Sequence, residues 1–385
     1  MCLVQSVGTM ALARLGRCCR SLVREPVKGL LCGVVQPGSI EGCVGAKRHL
    51  LSEDIIRLQD FQKRKLDVRH LAEDGFEMVS QKLQKNEVIL KDDLKLLLHL
   101  CQSAADMVVV KDAMYSYHAE NQNTPQGDYN FGPIFMRQCY ELGLEDMAAS
   151  TLTDKNMRGF FKDTTSHNIV VDMLFSKGSY EEALKLLGDM KSRGIYFTKD
   201  TLTLAFGTCY KLNTPESYRI CTSVIEEQQS KSSLIPRQAY CFAVALAINQ
   251  NDIEKAEQWF SQIINTDSKL CQNLKVLLLI KAGGTKSALA MLSEALLPKI
   301  PAFVKKTEFS LELIDMLILQ SEGVKLKGQV EQIKTRLVQA GQVTQQTLDD
   351  MLCHAPSGRR KQGSITMERR RGKKNKFPRS TLLSE

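Results

Sequence analysis

Proline and aromatic residues are scarce in this chain: 10 prolines among 385 residues, and only 6% Phe, Trp and Tyr together. With few helix breakers and long stretches rich in Leu, Lys, Glu and Gln, the composition suits an all-helical protein built from surface-charged hairpins. No apolar run approaches the roughly 18 residues needed to cross a bilayer, the nearest being Val276 to Ile280. No Cys-x-x-Cys spacing occurs among the 12 cysteines and the six histidines are dispersed, which argues against structural zinc. Cys2, Cys18, Cys19, Cys32 and Cys43 cluster near the start and the other seven stand singly in helical patterns, as expected of reduced thiols in a reducing compartment. Catalytic signatures are missing too. The carboxylates sit in exposed helix patterns such as Glu181-Glu182 and Asp92-Asp93, where they do not converge on a cation. Gly283-Gly284-Thr285-Lys286-Ser287 lacks the GxxxxGK[ST] arrangement of a phosphate loop, and no nucleophile elbow or dinucleotide fingerprint is present. The expectation is a protein without catalytic activity, cofactor or metal.

What is present is a repeat. Ala113, Ala148, Ala183 and Ala288 share one 35-residue phase, with Ala256 three residues off it. Gly143, Gly178, Asn213 and Gly283 fall at one common position in that phase, and Asn168 and Asn273 at another. One repeat has gained three residues around Gln229 to Ile235 and the next has lost three. A fixed period of 20 to 50 residues marks stacked supersecondary units. The clearest copy runs from Thr165 to Lys199, with Ile169, Val170, Met173 and Leu174 in one helix and Ala183, Leu184, Leu186, Leu187 and Met190 in the next. This spacing predicts one buried stripe per helix, and Gly178 and Gly194 close the two helices.

A tetratricopeptide array would also stack hairpins, but its Trp, Leu-Gly, Tyr and Pro landmarks are absent. Asn168, the Gly178 turn, the EEALKLL stretch from Glu181 and the closing Met190-Lys191-Ser192-Arg193-Gly194-Ile195 closely resemble the pentatricopeptide repeat family. The copies at Tyr129 to Leu152, Thr201 to Gln229, Arg237 to Ile264 and Leu270 to Leu297 are degenerate. The resemblance implies an all-α, right-handed superhelical solenoid of stacked helix-turn-helix hairpins with flanking helices and disordered ends. Residues 49–89 are expected to form an N-terminal helical region, 90–297 the repeats, and 298–354 capping helices. Among the last, Ser310 to Gln320 is a candidate partner surface or, more simply, a lid on the apolar end of the array.

The net charge of +9 belongs to the two ends. Residues 1–48 contribute +5 and 356–385 contribute +8, which leaves the remaining 307 at −4 by subtraction. Arg14, Arg17, Arg20, Arg24 and Lys28 alternate with Leu, Val and Ala against only Glu25 and Glu41. This pattern predicts a mitochondrial transit peptide over 1–48 and a matrix location, with processing near Arg48 to Ser52. Residues 355–385 read as a disordered basic tail. Its Arg369, Arg370, Arg371, Lys373 and Lys374 are candidates for RNA-backbone contact, because the body is too acidic to attract phosphate non-specifically; the alternatives are a solubilising terminus or a nuclear localisation signal.

In the resembled family one side chain near each first-helix start meets one base of a single strand. Asn168 matches that motif residue and Asn273 lies three periods on; Thr203 and Tyr240 are the candidates in the intervening repeats, and Thr198 and Asp200 compete for a second specificity position. Replacing Asn168 and Asn273 by alanine is then expected to weaken RNA binding and leave thermal stability nearly unchanged. The implied function is non-catalytic binding of mitochondrial RNA, promoting the processing, maturation or stability of transcripts and so respiratory-chain expression. Five short-reading repeats imply additional RNA structure or a protein partner as well. The alternative is a protein-binding helical scaffold in the matrix.

Overall fold

Left-handed backbone punctuates the chain where its period demands. Gly143 (φ 65°), Gly178 (φ 89°), Asn213 (φ 48°), Asn251 (φ 59°) and Gly283 (φ 76°) each end the first helix of a hairpin. At Gly178 the amide donates to Phe175 O and that of Ser179 to Leu174 O, satisfying carbonyls the helix leaves open. Asn251 is the copy displaced by the three-residue insertion.

The structure, a computed structural model, describes residues 49–52, 56–72, 74–121, 129–297 and 306–354. Helices α1 (Leu58–Leu71) and α2 (Gly75–Gln84) precede seven consecutive hairpins among the described residues. These are α3 (Lys91–Leu100) with α4 (Ala104–Glu120), α5 (Gly132–Leu142) with α6 (Glu145–Thr153), and α7 (Thr164–Lys177) with α8 (Tyr180–Ser192). There follow α9 (Lys199–Leu212) with α10 (Pro215–Ser230), α11 (Arg237–Asn249) with α12 (Ile253–Ser261), and α13 (Lys269–Lys281) with α14 (Thr285–Glu294). The seventh pairs α15 (Leu311–Gln320) with α16 (Val324–Gln339), and α17 (Leu348–Leu352) ends the described chain. Two short parallel strands, β1 (Phe309–Ser310) and β2 (Val343–Thr344), tie the last hairpin to its flanks. This is a mostly helical, helical-repeat fold. None of its described helices is long and apolar enough to cross a membrane.

First helices stack on first helices: α5 on α7, α7 on α9, α9 on α11, α11 on α13 and α13 on α15. Their N-caps are Asp163, Thr198, Pro236 and Ser268 for α7, α9, α11 and α13. Asp163, Thr198 and Ser268 each accept from the amide three residues on, which satisfies a donor stranded at the helix start. The caps are separated by 35, 38 and 32 residues, so the insertion before α11 is offset one repeat later.

The expectation of one buried stripe per helix holds for the second helices and fails for the first helices α7, α9 and α11. In α8 the buried residues are Ala183, Leu186, Leu187 and Met190, a single face. In the first helices, Ser166–Phe175, Thr201–Cys209 and Ala239–Ile248 are buried without interruption. A helix apolar all round needs cover on every side, and second helices and neighbouring first helices supply only part of it. The rest comes from the ends of the described chain. Leu50 and Leu51 are buried against α7 and α9, Ile56 is buried with its carbonyl bonded by Arg137 of α5, and α17 packs on α11 and α13.

The last hairpin is also more integral than a lid. Asn273 of α13 accepts from Ser310 N at 2.7 Å and donates to Glu308 O at 2.8 Å, and Leu313, Ile314 and Leu317 are buried. Gly283-Gly284 forms the α13–α14 turn.

Candidate nucleic-acid interface

The N-caps give each first helix a common register. Five residues past the cap lie Asn168, Thr203, Cys241 and Asn273. Tyr240 therefore falls one residue short, and Cys241 takes the position once the three-residue insertion is counted in full.

All of these side chains are buried, and Asn168, Cys241 and Asn273 sit at seams with the next repeat. Asn168 Oδ1 accepts from Thr201 Oγ1 at 2.8 Å, and its Nδ2 donates to Thr198 Oγ1 at 3.4 Å. Asn168 is 4% exposed. The structure thus brings Asn168 and Thr198 together, whereas Asp200 has no part in that cluster. Cys241 repeats the geometry, its Sγ 3.7 Å from Cys271 three residues past the next cap. Thr203 is buried and donates to Lys199 O within its own helix. The Tyr240 hydroxyl is 3.5 Å from Gln229 Nε2.

Asn273 has no exposed surface, and its amide makes three hydrogen bonds, to Lys269 O, Glu308 O and Ser310 N. The expectation that its removal leaves stability unchanged is corrected here: a buried amide so engaged is part of the fold. The basic candidates Arg369, Arg370, Arg371, Lys373 and Lys374 lie outside the described residues, as do the expected transit peptide and the tail as a whole.

A second cationic feature went unread in the sequence because its members are 80 residues apart. Arg57, Arg64 and Arg137 line one cleft of about 220 Å³ with Asp60, His99, Asn130 and Thr165. Arg57 caps α1 in left-handed backbone (φ 53°), a conformation that disfavours a long side chain. Arg137, on α5, donates from Nε to Ile56 O at 2.6 Å. Burial lowers the Arg137 pKa and the neighbouring Arg57 and Arg64 lower it further, partly offset by Asp163 and Asp60. His99 is lowered mainly by burial, with Arg64, Lys65 and Lys95 adding to the effect, so it stays neutral near pH 7. Net positive charge gathered at the starts of α5 and α7, beside Asn130 and Thr165, suits an oxyanion that accepts several guanidinium bonds.

Over residues 28–235 the chain matches the family model described as mitochondrial 28S ribosomal protein S27. It is 49% identical over 319 residues to pentatricopeptide repeat-containing protein 2, mitochondrial, of Danio rerio, covering 82% of this chain and 84% of that one. The Xenopus laevis protein of the same name is 42% identical over 380 residues, 95% of this chain and 97% of its own. The chain belongs to this pentatricopeptide repeat-containing protein 2 family. The Homo sapiens member is 42% identical over 348 residues, covering 89% of this chain and 90% of its own length. Members of the family are named as mitochondrial, and the chain is accordingly a mitochondrial helical-repeat protein.

Proposed function

We propose that this protein is a non-catalytic RNA-binding protein of the mitochondrial matrix that promotes processing, maturation or stability of mitochondrial transcripts, and so respiratory-chain expression. The observation that carries the reading is the Arg57, Arg64 and Arg137 cleft at the first-helix starts, the edge at which the family resemblance expects single-stranded RNA. In this reading the hairpins wind into a right-handed superhelix, and phosphates bind the arginine cleft and the tail residues Arg369, Arg370, Arg371, Lys373 and Lys374. Asn168, Thr203, Tyr240 and Asn273 are base-contact positions that become available only if the buried packing around them opens; for Asn168 that means giving up its bonds to Thr201 and Thr198, and for Asn273 three internal hydrogen bonds.

The test is crosslinking to mitochondrial RNA together with the salt dependence of binding in vitro. Discrete protected segments are expected. Changing Arg57 and Arg64 together to glutamine should flatten the salt slope by about 0.7 for each phosphate that is no longer neutralised, the single-strand value. Background crosslinking only, with an unchanged slope, would refute the reading. It would favour a protein-binding scaffold, for which a separate observation speaks: backbone amides of residues 50 and 51 are held against a first helix.

A further inference from the structure

Nine residues past their caps, α5, α7 and α9 carry Tyr140, Asp172 and Gly207, equivalent positions on the same face. The segment His49–Ser52 crosses this row. The His49 ring lies 5.0 Å from that of Tyr140. Asp172 Oδ1 accepts from the backbone amides of Leu50 at 2.7 Å and Leu51 at 3.1 Å, and its Oδ2 lies 2.9 Å from His49 Nδ1. His49 Nε2 is 3.4 Å from Ser176 Oγ, one turn further along α7. The Leu50 side chain occupies the space left at Gly207, where an added Cβ would come within 2.6 Å of it.

Asp172 interrupts the apolar run Val170-Val171-Asp172-Met173-Leu174-Phe175 and its side chain has no exposed surface. A carboxylate so buried needs its charge met by donors, and those donors are two consecutive peptide N–H groups and an imidazole. Backbone capture of adjacent amides with room for the side chains between them is how proteins hold extended peptides. The small residue opposite Leu50 has the same purpose, since any Cβ at position 207 would narrow the seat.

We propose that the face of α5, α7 and α9 that carries Tyr140, Asp172 and Gly207 is a peptide-binding site, that its occupant is the chain's own His49–Ser52 segment, and that RNA reaches this face only by displacing it. The competition rests on the RNA-binding reading above; the peptide site does not. With processing near Arg48, at the upstream end of the predicted range, the occupant stands at the beginning of the mature chain.

Amide hydrogen exchange of the mature protein separates the two halves. The Leu50 and Leu51 amides are expected to be protected at least about a hundredfold. Leu50→Asp should abolish that protection; Asp172→Ala should do the same while Asp172→Asn, which keeps an acceptor, restores it. Circular dichroism verifies that each variant is folded. Adding a mixed-sequence single-stranded RNA oligonucleotide should speed exchange at Leu50 and Leu51 in the wild type, and Leu50→Asp should bind it at least about tenfold more tightly. Free exchange of both amides in the wild type, or a mature protein from mitochondria that starts after Leu51, overturns the site. RNA binding that leaves both amides protected overturns the competition and leaves the RNA reading standing. Protected amides with no RNA binding by either form overturn the RNA reading and the competition, and leave the peptide site.

Discussion

Asn273→Ala should destabilise the C-terminal end of the array. The Ser310 amide, buried and 2.7 Å from Asn273 Oδ1, loses its acceptor, and stranding a buried donor costs about 1–3 kcal/mol. Loss of the donor to Glu308 O adds about 1 kcal/mol. The bond to Lys269 O adds little, because that carbonyl already serves the helical i to i−4 ladder. Alanine returns roughly 0.5 kcal/mol through its better helix propensity, leaving a net loss of about 1.5–3.5 kcal/mol. Since a repeat array unfolds from its ends by local units, the loss should concentrate in β1, β2 and α15. Urea unfolding followed by circular dichroism gives the magnitude, and hydrogen exchange over residues 309–344 gives the place. Asn273→Asp should be at least as damaging, because it keeps an acceptor for Ser310 but sets a buried carboxylate against two carbonyl oxygens. A loss below about 0.5 kcal/mol with unaltered exchange at Ser310 would refute a structural role and return Asn273 to the surface-reading class.

Three further outcomes follow from burial and close approach. His99 and His167 have pKa values lowered from their ordinary 6.5, chiefly by burial; the unfolded chain therefore takes up more protons, so stability should be full above about pH 6.5 and fall as the pH drops below it. Urea midpoints between pH 7.5 and 5.5 check this, and His99→Gln should reduce the slope. Gly132→Ala places a Cβ 2.5 Å from Ser166 Oγ and 2.9 Å from Asp163 Oδ2; it should loosen the α7 cap and cost about 1–2 kcal/mol, read as a lower melting temperature. The seven cysteines among the described residues are buried and carry no disulfide, and burial pushes Cys101 and Cys209 up to about 12. Thiol labelling of the mature protein should thus track unfolding; fast labelling of the native state would contradict the burial.

The turns of this fold were legible in the sequence because a left-handed φ selects glycine or asparagine, and such residues recur at the period. Gly143, Gly178, Asn213 and Gly283 were found on that ground, and Asn251 was missed although adding the three inserted residues to the period leads to it. The full burial of the first helices was not legible. Periodicity reports the polarity of positions: Asn168 and Asn273 read as base-contact positions and Asp172 was not singled out, yet each is a buried hydrogen-bonding hub. Their partners come from the next repeat or from segments more than 100 residues away, which no local pattern contains. One signal was available: a lone carboxylate inside Val170–Phe175 asks for a dedicated set of donors. The arginine cleft was hidden for the same reason, since Arg57 and Arg64 belong to α1 and its entry while Arg137 belongs to α5.

The helix α9 is gripped from both ends of the chain. Leu50 rests on Gly207, and Lys211, one turn further on, binds both carboxylate oxygens of Asp349 at 2.6 and 2.7 Å. Segments that begin and end the described polypeptide are thereby anchored within about 6 Å of rise along one helix, closing the row of hairpins into a non-covalent circuit. Open repeat arrays gain or lose units like beads on a string. Here each closing segment has a fixed reach, so an added or deleted hairpin would pull one clasp off α9. The number of hairpins is gauged by the chain itself.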